Sequence, residues 1–293
     1  MNSIAEKWHE FREWQQRPHL VAPMSEEWHV CHTCGTEFQG NYCPRCGQSA
    51  KIGRYSFKKA LLLFLDVWGL GNRGMFRTLR DLMLRPGYMI RDYLSGMQMA
   101  YFPPFKLFFL LTTLSLVVES GFNLNGENYF EVSREQVRQG FTDSFKEQPE
   151  SPNDTVEMQQ AKDDMEKYGN KAIDFAQRFP NITTLGMLFI LSGFLYIFFR
   201  KSPNIPDLRF SELLVALVYT SNMFAIFNIL LEFFCAPMGV QLASTLLPLI
   251  PLKQMSGFKW WKMLLIILLI ALMIFIVFFL SMSIAMIWVV NQS

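Results

Sequence analysis

The sequence predicts an all-α, polytopic membrane helical bundle preceded by a small N-terminal ribbon, on three observations. The chain of 293 residues is 51% hydrophobic and only 18% charged, more apolar than a soluble domain of that length needs to be. About five stretches approach the roughly 20 apolar residues that carry a helix across about 30 Å of hydrocarbon. Near the N-terminus, Cys31-His32-Thr33-Cys34-Gly35 and Cys43-Pro44-Arg45-Cys46-Gly47 form two CxxCG motifs.

Residues 1–28 are a polar segment with no apolar core or small-residue cleavage site of a secretory leader, so insertion falls to the internal helices. The ribbon spans 29–49. Two CxxC turns aim four thiolates at one centre, the shell that Zn²⁺ prefers, and the glycine after each pair lets the backbone turn back without a Cβ clash. Cys31, Cys34, Cys43 and Cys46 are therefore the expected ligands of a structural zinc. Two disulfides are the alternative, disfavoured on a cytoplasmic face where thiols stay reduced. Four thiolates leave no position for a catalytic water, and a domain this small needs the metal's binding energy to fold. His29 and His32 stand nearby as bystanders. Arg45 is the lone cation from Cys31 to Cys46, which makes nucleic acid an unlikely partner and points to a protein or membrane-surface contact.

Residues 50–104 alternate apolar clusters such as Leu61, Leu62, Phe64 and Trp68 with cations, the pattern of short interfacial helices broken at Gly69-Leu70-Gly71 and Arg85-Pro86-Gly87. Arg73, Arg77, Arg80, Arg85 and Arg91 are either positive-inside anchors or contacts to lipid phosphate on an anionic inner leaflet.

The first span is expected over 105–121, opening after Pro103 and Pro104, which suit a helix start. An acidic loop follows over 122–180, in which Met165, Tyr168, Ala172, Phe175 and Phe179 recur at helical steps after a cap at Thr155. Further membrane segments are expected at about 181–199, 210–235, 238–252 and 263–290. Ala236-Pro237-Met238-Gly239 supplies the turn of a hairpin. Its second arm is short and contains Pro248 and Pro251, so four spans with a re-entrant segment are the alternative.

Residues 45–106 hold eleven Lys/Arg against three Asp/Glu, and residues 122–180 hold seven against twelve. Together with Arg200, Lys201, Arg209, Lys253, Lys259 and Lys262 this asymmetry predicts a cytoplasmic N-terminus, an extracytoplasmic 122–180 loop and an extracytoplasmic C-terminus. Within the spans, Glu212, Asn222, Asn228 and Glu232 form a candidate intramembrane polar site, since ionisable groups there are costly. Glu212 also suits a helix N-terminus.

There is no HExxH, GxSxG or GxxxxGK[ST], so an enzyme of those motif classes is not expected and no catalytic residue is nominated. Three functions stay open: a membrane-anchored adaptor or assembly factor using the ribbon to contact a cytoplasmic protein or the membrane surface, a small-solute or lipid transporter, and a membrane-embedded lipid-headgroup enzyme acting through Arg77, Arg80, Arg85 and Asp92.

The ribbon reading CxxCG…YCPxCGQ, Arg85-Pro86-Gly87, the run Ile90-Arg91-Asp92-Tyr93-Leu94-Ser95-Gly96, Tyr101-Phe102-Pro103-Pro104-Phe105 and, more loosely, Phe210-Ser211-Glu212-Leu213-Leu214-Val215 stand in one order. That order resembles the zinc-ribbon membrane family catalogued as domain of unknown function 3667. The family pattern has a basic residue after the last glycine of the second run, where this chain reads Gly96-Met97-Gln98. The resemblance implies the same architecture in a bacterial inner membrane, and no activity.

Overall fold

The computed structural model describes residues 4–20, 23–50, 73–126, 128–146 and 156–292. The interfacial helix expected around Lys58 to Trp68, and the cap at Thr155, lie outside them. The chain divides into two compact units, one of Met1–Thr78 with Met99–Phe102 and one of Leu79–Gln98 with Pro103–Ser293.

In the first unit, α1 (Ile4–Gln16) lines up Trp8, Phe11 and Trp14, successive rings 5.8 Å apart, and buries none of its side chains. The ribbon is an antiparallel pair, β1 (Trp28–Val30) with β2 (Glu37–Gln39), in which His29 faces Phe38. Helix α2 (Arg73–Leu84) begins here. Its Thr78 hydroxyl accepts from the Phe102 amide at 2.8 Å, and Arg77 donates to the Ala100 carbonyl at 3.0 Å. These bonds hold the buried Tyr101 and Phe102.

The second unit is helical. Helix α2 stops where Pro86 opens α3 (Pro86–Leu94), because a proline ring is accepted in a first turn and nowhere deeper. After a short 3₁₀ turn at Gln98–Ala100 come α4 (Pro104–Glu119), α5 (Tyr129–Lys146), α6 (Val156–Arg178), α7 (Pro180–Phe199), α8 (Phe210–Phe233), α9 (Met238–Ser244), α10 (Leu249–Ser256) and α11 (Trp260–Gln292). Three helices are long and apolar enough to cross a membrane, Gln98–Glu119, Pro180–Phe199 and Phe210–Phe233. A fourth is possible if Leu249–Ser256 and Trp260–Ile276, bent by 119°, count as one.

Helix α8 is the centre of this unit. It buries Leu213, Ala216, Leu217, Val218, Tyr219 and Met223, and Asn222 donates to the Pro104 carbonyl at the start of α4 at 3.0 Å. At the far end the Leu124 amide donates to the Phe233 carbonyl at 3.1 Å, so α4 and α8 run in the same direction. Residues 234–256 then lead back, since Asn204 binds the Ser256 carbonyl through its amide at 3.1 Å.

This return path covers the short, proline-containing arm expected over 238–252 in two pieces. It forms two helices of seven and eight residues, and eight residues rise only about 12 Å, too little to cross alone. Pro248 caps α10 and Pro251 lies in its first turn, the two places a proline tolerates.

The 122–180 loop adds α5, which its sequence did not suggest. It packs on α6 where Gly169 admits the Phe141 ring: a Cβ there would stand 2.1 Å from Phe141 Cζ. Arg134 Nε donates to Gln177 Oε1 across the pair at 3.0 Å.

Candidate metal centre and charged cleft

The two knuckles are built alike. Cys31 N donates to Thr36 O and Gly35 N to Cys31 O, at 3.0 and 2.8 Å; Cys43 N donates to Gln48 O and Gly47 N to Cys43 O, at 2.8 and 2.9 Å. Each turn closes through a left-handed glycine, Gly35 at φ +70° and Gly47 at φ +74°, a conformation only glycine enters without strain. The four sulfurs consequently all lie within 4.8 Å of one another. Cys31 and Cys46 Sγ are 3.4 Å apart, and Cys34 and Cys43 Sγ 3.6 Å. A tetrahedral thiolate shell at about 2.3 Å has edges of about 3.8 Å, so the donor set fits such a metal ion. Phe38 and the buried Cys31 and Cys43 form the small core beside it, with Ala50 packed against them.

The thiols are unequal. Hydrogen bonding with the Thr36 hydroxyl, 3.3 Å away, and with its backbone holds Cys34 down to about 6. The Gln48 amide pulls Cys46 the same way, but the Cys31 sulfur, desolvation and the other thiols outweigh it and push Cys46 up to about 12. The His29 ring lies tilted against Phe38, 5.6 Å away, and faces Ser25, and neither it nor His32 joins the sulfur cluster. Gln48 reaches the cluster unforeseen, its Oε1 3.4 Å from Cys31 Sγ and hydrogen-bonded to Thr33.

The five candidate arginines divide between the two units, Arg73 and Arg77 in the first and Arg80, Arg85 and Arg91 in the second. Arg73 opens α2. Arg77 holds the Ala100 carbonyl, Arg80 pairs with Asp81 at 2.7 Å, and Arg85 pairs with Asp92 in a largely buried bridge. Arg80 stays 55% exposed beside Asp81, and Arg91 is half-buried, its guanidinium 5.1 Å over the Tyr88 ring.

It borders a cleft of about 490 Å³ between the end of α3 and the α7–α8 turn, together with Asp92, Asn204, Asp207, Arg209 and Glu212. Residues 202–209 are pinned: Ser202 Oγ donates to Ile205 O at 2.9 Å, and Asn204 Nδ2 to Met255 O at 3.2 Å. Arg209 N donates to Glu212 Oε2 at 2.8 Å, so that carboxylate caps α8.

Residues 72–116 match the family model DUF3667, a protein of unknown function. The family is the one to which the motifs pointed. Its matched segment contains the Arg85-Pro86-Gly87 turn, α3 and Tyr101 to Phe105, and it supplies Arg91 and Asp92 to the cleft. No curated protein and no solved structure matches the chain.

The polar residues of α8 are also dispersed. Glu212 caps the helix, Asn222 holds Pro104, Asn228 accepts from Ser244 Oγ at 3.2 Å, and Glu232 lies near the last turn. Spread over some 30 Å of helix axis, they do not converge on one ligand. Cys235, after α8, is half-buried with a left-handed φ of 52°.

Proposed function

We propose that this chain is a multi-pass protein of a bacterial cytoplasmic membrane, with its N-terminus inside, acting as a membrane-anchored adaptor or assembly factor. Its zinc ribbon contacts a cytoplasmic protein or the inner leaflet. The observation that carries the reading is the composition of the ribbon: four converging thiolates fill a tetrahedral shell, while Trp28, Val30 and Tyr42 are 73%, 59% and 66% exposed. A metal used only to hold a fold, beneath an uncovered aromatic surface, suits recognition better than catalysis. Zinc is the metal proposed because four soft thiolates in a tetrahedral shell select it in a cytoplasmic domain.

Five passes are proposed, the fourth being the broken α9–α10 path, because Phe233 lies with Leu124 at one end of the bundle and Ser256 with Asn204 at the other. The transporter alternative draws no support from α8, whose Asn222 and Asn228 already hold protein groups.

The test is crosslinking in cells followed by mass spectrometry, comparing the native chain, Cys34→Ser and Trp28→Ala with Tyr42→Ala at equal membrane abundance. The expected result is one zinc per native chain and loss of the same cytoplasmic partners in both variants. A crosslinked set that is unchanged by either variant overturns the adaptor reading.

A further inference from the structure

The cleft beside α3 holds a balance of charge that the ribbon does not explain. Asp92 is answered by Arg85, and the Glu212 carboxylate is engaged by the Arg209 amide. The charged side chains of the lining that form no ion pair among the described residues are the guanidiniums of Arg91 and Arg209 and the carboxylates of Asp207 and Glu212, the last hydrogen-bonded to the Arg209 amide at the start of α8. The turn carrying Asp207 and Arg209 is held by the Asn204 bonds to the end of α10, and α3, which carries Arg91, by the bond from the Gly87 amide to Gln254 Oε1 on the same helix, so the cleft is built before any ligand arrives. Its depth is fixed as well. Arg209 directly precedes Phe210, the first residue of one candidate span, and Arg200 and Lys201 directly follow Phe199, the last of another. The opening therefore lies at the level of lipid headgroups.

We propose that this cleft binds a phosphate ester carrying a primary amine, the phosphoethanolamine headgroup of a zwitterionic phospholipid. Arg91 and Arg209 take the phosphate oxygens, for which the guanidinium fork is shaped, and Asp207 accepts from the ammonium. A purely anionic headgroup leaves Asp207 facing like charge, and a trimethylated amine offers it no N–H. About 490 Å³ holds a headgroup and leaves the acyl chains to the bilayer. The inference does not depend on the metal centre or on a ribbon partner.

The test uses the full-length protein in nanodiscs of equal phosphatidylethanolamine and phosphatidylglycerol, with retained lipid read by native mass spectrometry. The native chain is expected to retain phosphatidylethanolamine preferentially. Arg91→Gln with Arg209→Gln should lower that retention roughly tenfold or more, the loss of charge-assisted hydrogen bonds. Asp207→Asn should keep phosphate binding but abolish the preference between the two lipids. An unchanged melting temperature shows that each variant is folded. Competition by soluble phosphoethanolamine at equal affinity keeps the charge assignment but makes the ligand a free headgroup compound; failure to compete makes it the lipid. Equal retention of both lipids by the native chain, or a double variant indistinguishable from it, overturns the proposal.

Discussion

Gly87 shows how one missing methyl sets a contact. A Cβ at this position would stand 2.3 Å from Gln254 Cβ, 2.5 Å from the Pro251 carbonyl oxygen and 2.7 Å from Met255 N. Replacing a helical glycine by alanine ordinarily stabilises by about 1 kcal/mol. Here the sign reverses, and Gly87→Ala is expected to cost about 1–3 kcal/mol by overpacking, read as a lower melting temperature in detergent. Adding Gln254→Ala should restore nothing, because Cβ and the backbone atoms remain. Arg85 and Asp92, with side chains 4% and 14% exposed, give a second residue-scale expectation. Arg85→Met leaves a desolvated carboxylate and should cost about 3 kcal/mol, whereas Arg85→Met with Asp92→Leu should recover much of that loss; thermal unfolding of the single and double variants distinguishes the two.

Among the elements, the ribbon is the one whose chemistry was written in the chain. Metal ligation demands fixed spacing and a glycine at each left-handed turn, and both survive in the linear order of Cys31 to Gly47. The charged cleft had no such signature. Asp207 and Arg209 occupy an irregular turn, and they meet Arg91 only because Asn204 clips that turn to α10. Helix α10 itself was obscured by its prolines, which read as breaks in a span and prove to be its cap and first turn. The ribbon also carries a pH expectation. Crowding of the sulfurs pushes Cys46 up while the Thr36 bonds hold Cys34 down, and a metal binds all four as thiolates. Metal uptake must therefore release protons, and affinity falls as pH falls. Chelator competition should extract the metal more readily at pH 6 than at pH 8; a pH-independent affinity contradicts thiolate ligation.

For the whole molecule, four of the apolar stretches coincide with long helices, three of which are long and apolar enough to cross a membrane. Segments expected at 105–121, 181–199, 210–235 and 263–290 form helices Pro104–Glu119, Pro180–Phe199, Phe210–Phe233 and Trp260–Gln292. Hydrophobic length is a local property, so it can be read without the fold. What could not be read is pairing at long range, such as α4 with α8, because it depends on the shapes of faces that sequence does not display. The five-pass proposal makes the ends of the chain differ: in intact cells Asn291→Cys should react with an impermeant thiol reagent, and Ser25→Cys should not. Equal reactivity indicates an even number of passes.

The Gly87 amide donates to Gln254 Oε1 at 3.0 Å across 167 residues of sequence. Ribosomes add roughly 5–20 residues per second, so the surface of α3 emerges roughly 8–30 s before α10 exists to cover it. During that interval the segment holding α3 is a half-made joint, and any product terminated ahead of residue 249 keeps it permanently open. Such truncated chains should be recognised and cleared by membrane proteases faster than chains ending after Ser256, which a pulse-chase of the two would measure.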